Sequence, residues 1–206
     1  MRMGTCLNKE RTNQDLEELI QVACSSSPGE AKIIPTDDIS VEDALANYCV
    51  EPKCRNYGLS PSCPPHVSGP SEFRALQEQL EHAIAVRIVV PSSALFSDER
   101  KGIMQLLHET VTGIEQAAIG MGYSESRAFA GGSCKEIFCA EETGCRVLSE
   151  GFECRHPQHA RPSMSGFGIN VSELMKSCGW SSEINVREGE SDSEYMSWVA
   201  GLILIG

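Results

Sequence analysis

Apolar residues recur at helical spacing in four segments of the chain. They predict helices over residues 13–23, in a stretch that begins at Pro70, in a longer stretch that begins at Ser97, and over about residues 171–178. Proline suits the first turn of the second helix, because its missing N–H would have no partner there. The apolar faces of these helices indicate core packing rather than chemistry.

Between the helices lie segments rich in β-branched and apolar residues, which predict strands. These segments are residues 31–35, 85–91, 127–130 and 198–205. Because helices and strands alternate, the pattern predicts an α/β fold: a single domain over residues 1–206, with a mixed sheet, helices packed on it, and cysteine-rich loops at the strand ends. Residues 1–29 are expected to form an N-terminal helical extension, and the acidic stretch 188–194 a solvated loop.

The composition is that of an ordinary globular chain of 206 residues, 41% of them hydrophobic and 22% charged. A formal net charge of −12 argues against binding to nucleic acid or to anionic membrane surfaces, because both are negatively charged. The N-terminal residues lack the apolar run of a secretory signal. The longest apolar run lies at residues 198–206 and is far shorter than the roughly 20 residues that span a bilayer. A cytoplasmic location is therefore expected.

Cysteine is the unusual feature of the composition. The chain has ten cysteines, and seven of them fall into two groups. The first group is Cys49, Cys54 and Cys63, and the second is Cys134, Cys139, Cys145 and Cys154. In a reducing cytoplasm, clustered cysteines favour metal binding over disulfides, so both groups are predicted to ligate metal. The remaining three cysteines are predicted to be small buried side chains with inert thiols: Cys6, Cys24 and Cys178.

The spacing within both groups favours an iron–sulfur cluster over zinc. Structural zinc sites prefer two closely spaced cysteine pairs, whereas this chain contains no Cys-x2-Cys and separates its clustered cysteines by four, five and eight residues. Loops of that length suit the four thiolate corners of a [4Fe–4S] cluster. Cys63 is also followed by Pro64, and a Cys-Pro step recurs at ligands of ferredoxin-type clusters. One or two [4Fe–4S] clusters are therefore predicted, with zinc as the alternative.

Basic residues gather around the second group in a chain that is otherwise acidic. They are Arg146, Arg155, His156, His159 and Arg161. Because cationic donors stabilise an anionic cluster and raise its reduction potential, Arg155, His156 and Arg161 are predicted to contact the cofactor. The same residues could instead hold an anionic substrate against the metal, or form a solvated loop. His66 and His156 are candidate ligands or proton donors.

The first group supplies only three cysteines, which leaves two arrangements open. It could hold a second cluster in which one iron lacks a cysteine ligand, so that water, His66 or a substrate would coordinate there. Alternatively, both groups could share one centre. No catalytic residue is assigned, since the phosphate-binding loop, the His-Glu-x-x-His helix and the Gly-x-Ser-x-Gly elbow are all absent from the sequence.

Three functions follow from these alternatives. The first is an iron–sulfur protein with a redox or electron-transfer role, whose partner is a redox protein or a small-molecule substrate. The second is a zinc-binding structural or interaction module. The third is an enzyme that uses an open coordination position of a cluster, an idea that requires the two cysteine groups to be close in space.

Five sequence elements together resemble a known family. They are Cys54-Arg-Asn-Tyr-Gly-Leu-Ser-Pro-Ser-Cys-Pro-Pro-His66, Ala130-Gly-Gly-Ser-Cys134, Cys154-Arg-His-Pro157, Arg161-Pro-Ser-Met164 and Gly168-Ile-Asn-Val171. Over roughly residues 30–205 the chain resembles the small, cysteine-rich bacterial and archaeal proteins that are described as predicted metal-binding proteins of unknown function. The resemblance implies that the seven grouped cysteines are the metal ligands, and it implies no particular reaction. Ser165 stands where a family member is expected to carry an acidic residue.

Overall fold

The structure is a computed structural model, which describes residues 3–26, 29–51, 53–181, 185–186 and 195–206. The helices are α1 (Met3–Ser26), α2 (Asp43–Asn47), α3 (Pro70–Gln79), α4 (Ser92–Leu95), α5 (Glu99–Met121), α6 (Cys134–Phe138), α7 (Arg146–Glu150) and α8 (Val171–Ser177). The strands are β1 (Glu30–Pro35), β2 (His82–Pro91), β3 (Arg127–Ala130), β4 (Asn185–Val186) and β5 (Tyr195–Ile205). Two 3-10 helices cover Thr36–Asp38 and Met164–Phe167. Within these ranges, every helix is too short or too polar to cross a bilayer.

The strands form one sheet with the order β1-β2-β5-β3, and β4 pairs with β5 outside this path. The central pair is β2 and β5, in which His82 lies opposite Ile205 and Pro91 opposite Met196. The predicted single α/β domain is confirmed. The strand pairs are all antiparallel rather than mixed, and a parallel pairing in the described part of the chain is limited to the bridge between Ala130 and Ser163. The expectation of a mixed sheet is corrected here, since hydrophobic patterns do not encode strand direction.

Helices cover both faces of the sheet, so the strands are buried on both sides. Side chains alternate along β2: Ile84, Val86 and Ile88 pack in the core cluster that contains residues of α1 and α5. Ala83 and Ala85 pack in the opposite cluster, with residues of α3 and α8. Successive side chains of a strand point to opposite faces, and both faces here are apolar. The strand is therefore apolar at nearly every position between Ala83 and Val90, with Arg87 as the exception.

The predicted helices at the ends of the chain are observed. Helix α1 extends beyond the predicted residues 13–23, and it packs against α5 through Leu16, Leu19 and Ala23. Cys178 follows α8 and is fully buried in the second core cluster, as predicted for a small apolar side chain. The side chains of Cys6 and Cys24, and the whole acidic stretch 188–194, lie outside the described residues.

The loops that carry the two cysteine groups meet at the end of the edge strand β3. The backbone N–H of Ala130, the last residue of β3, donates to the carbonyl of Pro162 (3.0 Å). The next residue along that loop, Ser163, donates its backbone N–H to the carbonyl of Ser62 (2.9 Å). The segment before Cys63 is thereby held against the strand that leads into Cys134.

Candidate metal centre

The second cysteine group lines one small pocket of about 30 Å³. Cys134 begins α6, Cys139 directly follows that helix, Cys145 directly precedes α7, and Cys154 lies beyond it. With the two one-turn helices between them, four cysteines spread over 21 residues line the same pocket. The structure thus brings together all four cysteines of this group.

The first cysteine group lines a different and larger pocket of about 560 Å³. Cys49 lies just after α2, while Cys54 and Cys63 lie in the loop between α2 and α3. Further walls come from the start of α5, the turn between β3 and α6, and the start of α8. The three cysteines therefore share a cavity whose volume falls in the range of small-molecule sites.

The two pockets adjoin at a wall built from two short segments. Ser60 and Ser62 line the four-cysteine pocket, while Cys63, which follows Ser62, lines the larger one. Across the wall, Ser133 lines the larger pocket and Cys134 the smaller. Sγ of Cys63 lies 3.3 Å from Oγ of Ser133, which is hydrogen-bond distance. The two cysteine groups are therefore neighbours in space, separated by a single layer of residues.

The thiols of the two groups influence each other's ionisation. Burial raises the pKa of Cys134, the hydroxyls of Ser62 and Ser60 lower it, and the charges of Cys63 and Cys154 raise it again. Burial likewise raises the pKa of Cys49, and Cys54 and Cys63 add to the rise. Gathered thiols resist ionising together, because each thiolate repels the next. A bound metal cation removes this repulsion and favours the thiolate forms.

Polar groups around the four-cysteine pocket suit a cluster of thiolates. The backbone N–H of His156 donates to Sγ of Cys154 at 3.3 Å. Ser60 is fully buried, and among the described residues its Oγ has no partner in hydrogen-bond geometry, although it lies near enough to Cys134 to lower the pKa of that thiol. Hydrogen bonds to sulfur are a recurring support of iron–sulfur centres. A buried hydroxyl without a partner beside four cysteines is consistent with an acceptor bound in this pocket.

Glu136, in the helix that begins with Cys134, ties the two cysteine loops together. Its carboxylate accepts hydrogen bonds from Arg55, from the amide of Asn56 (2.9 Å), and from Nη1 of Arg100 (2.7 Å). Burial raises the pKa of Glu136, but the Asn56 amide and the two guanidiniums lower it by more, so the net shift is downward. Arg55 and Asn56 directly follow Cys54, and Arg100 belongs to α5, so one carboxylate joins three parts of the site.

The structure places the predicted basic residues in two different locations. Arg155 and His156 line the four-cysteine pocket. Arg155 pairs with Glu142 at 3.2 Å, and its charge opposes the burial that raises the pKa of Cys139. The His156 ring stacks on Phe138 with a centroid separation of 5.3 Å. Arg146 lines the same pocket, whereas Arg161 does not.

Arg161 and His66 instead line a third cavity, of about 490 Å³, which contains no cysteine. The guanidinium of Arg161 pairs with the carboxylate of Glu115 at 2.5 Å, and Nη1 of Arg161 donates to the carbonyl of Pro157. Arg161 thus anchors the loop after the second cysteine group to helix α5. His66, although it follows Cys63 by three residues, lines this cavity and not the pocket of the three cysteines.

Among the described residues, His, Cys, Asp and Glu side chains do not converge on one point in groups of three or more as the ligands of a single metal ion would. The cysteines instead line the walls of their pockets.

Several residues that build the site were not singled out from the sequence. They are Arg55, Asn56, Ser60, Ser62, Arg100, Ser133 and Glu136. Six of them lie within three residues of a grouped cysteine, and that proximity was the available signal. Arg100 lies far from every cysteine in sequence, and only the fold brings it to Glu136.

Comparisons with known proteins assign the chain to a family. Neither the curated proteins nor the solved structures contain a significant match. A protein-family model described as predicted metal-binding protein, DUF2284, matches residues 32–205. That match covers most of the chain, including all seven grouped cysteines and the β-strands that position them. The chain therefore belongs to the DUF2284 family of predicted metal-binding proteins.

Proposed function

We propose that this metal-binding protein is an iron–sulfur protein with a redox or electron-transfer role and two adjoining centres. The observation that carries the proposal is the division of the seven cysteines between two neighbouring pockets, four in one and three in the other. Four thiolates complete the ligand set of a [4Fe–4S] cluster, whereas three leave one iron without a cysteine ligand.

The residues around each pocket suit different tasks. The four-cysteine pocket is small, and Arg146 and Arg155 line it, so its cationic groups would offset the negative charge of a thiolate-bound cluster. The three-cysteine pocket opens into a cavity large enough for a small molecule. An iron–sulfur cluster supplies one-electron redox chemistry when bound and, where an iron lacks a cysteine ligand, a coordination position.

The four-cysteine pocket is therefore suited to electron transfer, and the three-cysteine pocket to a reaction on a bound substrate. The protein residues have separate tasks in this arrangement. The wall that contains Ser62 and Ser133 separates the two centres, and Glu136 holds the loops that form them.

Anaerobic reconstitution followed by iron, sulfide and zinc analysis tests the proposal. We expect about eight iron atoms and about eight acid-labile sulfides per chain, as for two [4Fe–4S] clusters. Electron paramagnetic resonance of the reduced protein should then show two centres. A colourless preparation that contains stoichiometric zinc, no sulfide and no redox signal would instead establish the zinc module.

Single-cysteine variants assign each signal to a pocket. Cys154→Ala should remove one paramagnetic signal and about half of the iron, and Cys54→Ala should remove the other. Cys178→Ala is the matched control, because this cysteine is buried in the core away from both pockets and should leave both signals. Loss of all iron in either single variant would show that the two groups share one centre.

A further inference from the structure

We infer that the pocket lined by Cys49, Cys54 and Cys63 binds a small molecule that has an apolar body and one anionic group, a carboxylate or a phosphate, directed at Arg55 and Arg100. This inference names the substrate class for the proposed redox function and in that sense rests on it. The binding itself is a property of the protein side chains and can be measured separately.

The pocket has the size and lining of a small-molecule site. Its volume is about 560 Å³, within the roughly 300–1,000 Å³ usual for such sites. Apolar side chains form much of its wall, among them Leu45, Tyr48, Ile169 and Val171. A ligand that fills this space must bury apolar surface, which favours a hydrocarbon or aromatic body.

Apart from the three cysteines, the charged side chains of the pocket carry a net positive charge, which favours an anion. Its lining contains two guanidiniums, Arg55 and Arg100, and one carboxylate, Glu136, in a chain whose net charge is −12. Among the donors of these two guanidiniums, Glu136 engages Nη2 of Arg55 and Nη1 of Arg100. Each guanidinium has five N–H donors, so both retain donors for a second acceptor. Their side chains are 73% and 40% exposed, and both line the cavity.

A cationic ligand is disfavoured by the same contacts. Glu136 is the acidic residue of the lining, and it already accepts hydrogen bonds from two arginines and from Asn56. An amine would have to displace these partners, whereas a carboxylate or phosphate can add to the guanidiniums in their present positions. Arginine also binds both anions through paired N–H donors, so the recognition extends to either group.

Isothermal titration calorimetry on the anaerobically reconstituted protein tests the inference. The probes are phenylacetate and phenyl phosphate, with neutral phenylacetamide and cationic 2-phenylethylamine as controls that keep the aromatic body. We expect saturable binding of at least one anion, at least about tenfold tighter than that of the amide or the amine. The preference between the two anions identifies the anionic group.

Two variants locate the binding. Arg100→Gln should weaken anion binding by about tenfold, because it removes a charged donor. Val171→Phe should weaken both anions by narrowing the pocket without altering the contacts of Glu136. Arg74→Gln is the matched control, because Arg74 pairs with Asp43 outside the pocket, and it should bind as the unmodified protein does.

Any one of four results would overturn the inference. They are equal affinity for the amide, tighter binding of the amine, absence of saturable anion binding at millimolar concentration, and unchanged affinity in both pocket variants.

Metal and sulfide analysis of the same samples separates a failure of this inference from a failure of the proposed function. Absence of iron contradicts the proposed function and leaves the anion titration to decide the substrate class. Full iron content without anion binding contradicts this inference alone.

Discussion

His108 is a buried histidine on α5 that supports the loops of the candidate site. It is fully buried, and its ring nitrogens lie 3.1 Å from the carbonyl oxygen of His159 and 3.3 Å from that of Gly131. Burial lowers the pKa of His108, and the two carbonyl groups oppose the shift without cancelling it. The residue thus lies between the β3–α6 turn and the loop after Cys154, where a neutral imidazole can donate to one of the two carbonyls and accept from the backbone N–H of Arg161 at Nδ1 (3.4 Å).

The depressed pKa of His108 predicts a pH-dependent stability. Below about pH 6.5 the His108 side chain takes up a proton in the unfolded chain but resists protonation in the folded one. Its contribution to the free energy of unfolding is therefore fully present above this pH and is lost as the pH falls. The slope from this residue is at most about 1.4 kcal/mol per pH unit. Urea unfolding of the metal-free protein and of His108→Gln at about pH 7.5 and about pH 5.5 measures it. The prediction fails if the variant loses as much stability on acidification as the unmodified protein.

Cys178 illustrates how differently the cysteines of one chain can behave. Burial raises the pKa of its thiol to about 11, and the nearby charges of Lys32 and Arg87 only reduce the rise. We expect iodoacetamide at about pH 8 to leave Cys178 unmodified in the folded metal-free protein and to alkylate the exposed Cys54, because the thiolate is the reactive form. Peptide mass spectrometry reads out each site. Modification of both residues at similar rates would contradict the prediction, and urea should abolish the difference.

At the level of elements, the turn between β3 and α6 determines where the second cysteine group begins. Gly132 has φ of +83°, and a Cβ at this position would lie 2.8 Å from Cε of Met104. Glycine adopts this backbone region at no steric cost, whereas other residues rarely do. The pair of glycines before Ser133 therefore reflects a tight turn that delivers Cys134 into its pocket.

Gly132→Ala tests this element. We expect it to lower the free energy of unfolding by about 1–3 kcal/mol, because the left-handed backbone strains any residue with a side chain, while the terminal methyl of Met104 can move aside. Gly144→Ala is the matched control, since it lies in the same cysteine loop but a Cβ there has no atom within 4 Å. Denaturant unfolding of the metal-free proteins compares the two. Equal stability of both variants would show that the turn tolerates a side chain.

The hydrophobic pattern predicted the longest helix and the strand before the second cysteine group, but not the one-turn helices. The long helix α5 and the strand β3 were expected near their observed positions, because burial on one helical face or in one apolar run leaves a clear periodic signal. The one-turn helices α6 and α7 were not predicted. They are too short for periodicity, and their conformation follows from the cysteine loops that contain them.

At the scale of the whole molecule, Glu136 connects the parts of the site that are distant in sequence. Glu136→Gln leaves two guanidiniums without their carboxylate, and we expect a loss of about 1–2 kcal/mol of stability together with reduced metal loading of both cysteine groups. Glu173→Gln, which breaks an exposed pair with Lys176, is the control and should cost less than about 1 kcal/mol. Denaturant unfolding and metal analysis measure the two effects. Loss of metal from one group alone would contradict the connecting role.

The sequence by itself determined the chemistry available to this protein. The amino-acid sequence alone shows that the chain has ten cysteines and that seven of them form groups of three and four. It also shows the apolar periodicity and the absence of familiar catalytic motifs. The α/β class could be predicted on that basis, because local patterns report which residues are buried. The metal-binding family was predicted from the resemblance carried by five sequence elements, and the family model confirms it.

Only the tertiary structure decided how that chemistry is arranged. In the structure the two cysteine groups line adjoining pockets, His66 and Arg161 line a separate cavity, and Arg100 contacts Glu136. Strand direction and loop docking depend on contacts between residues far apart in the chain, such as the one from Ser163 to Ser62. Such contacts leave no periodic trace in the sequence, because their energy comes from groups that only folding brings together.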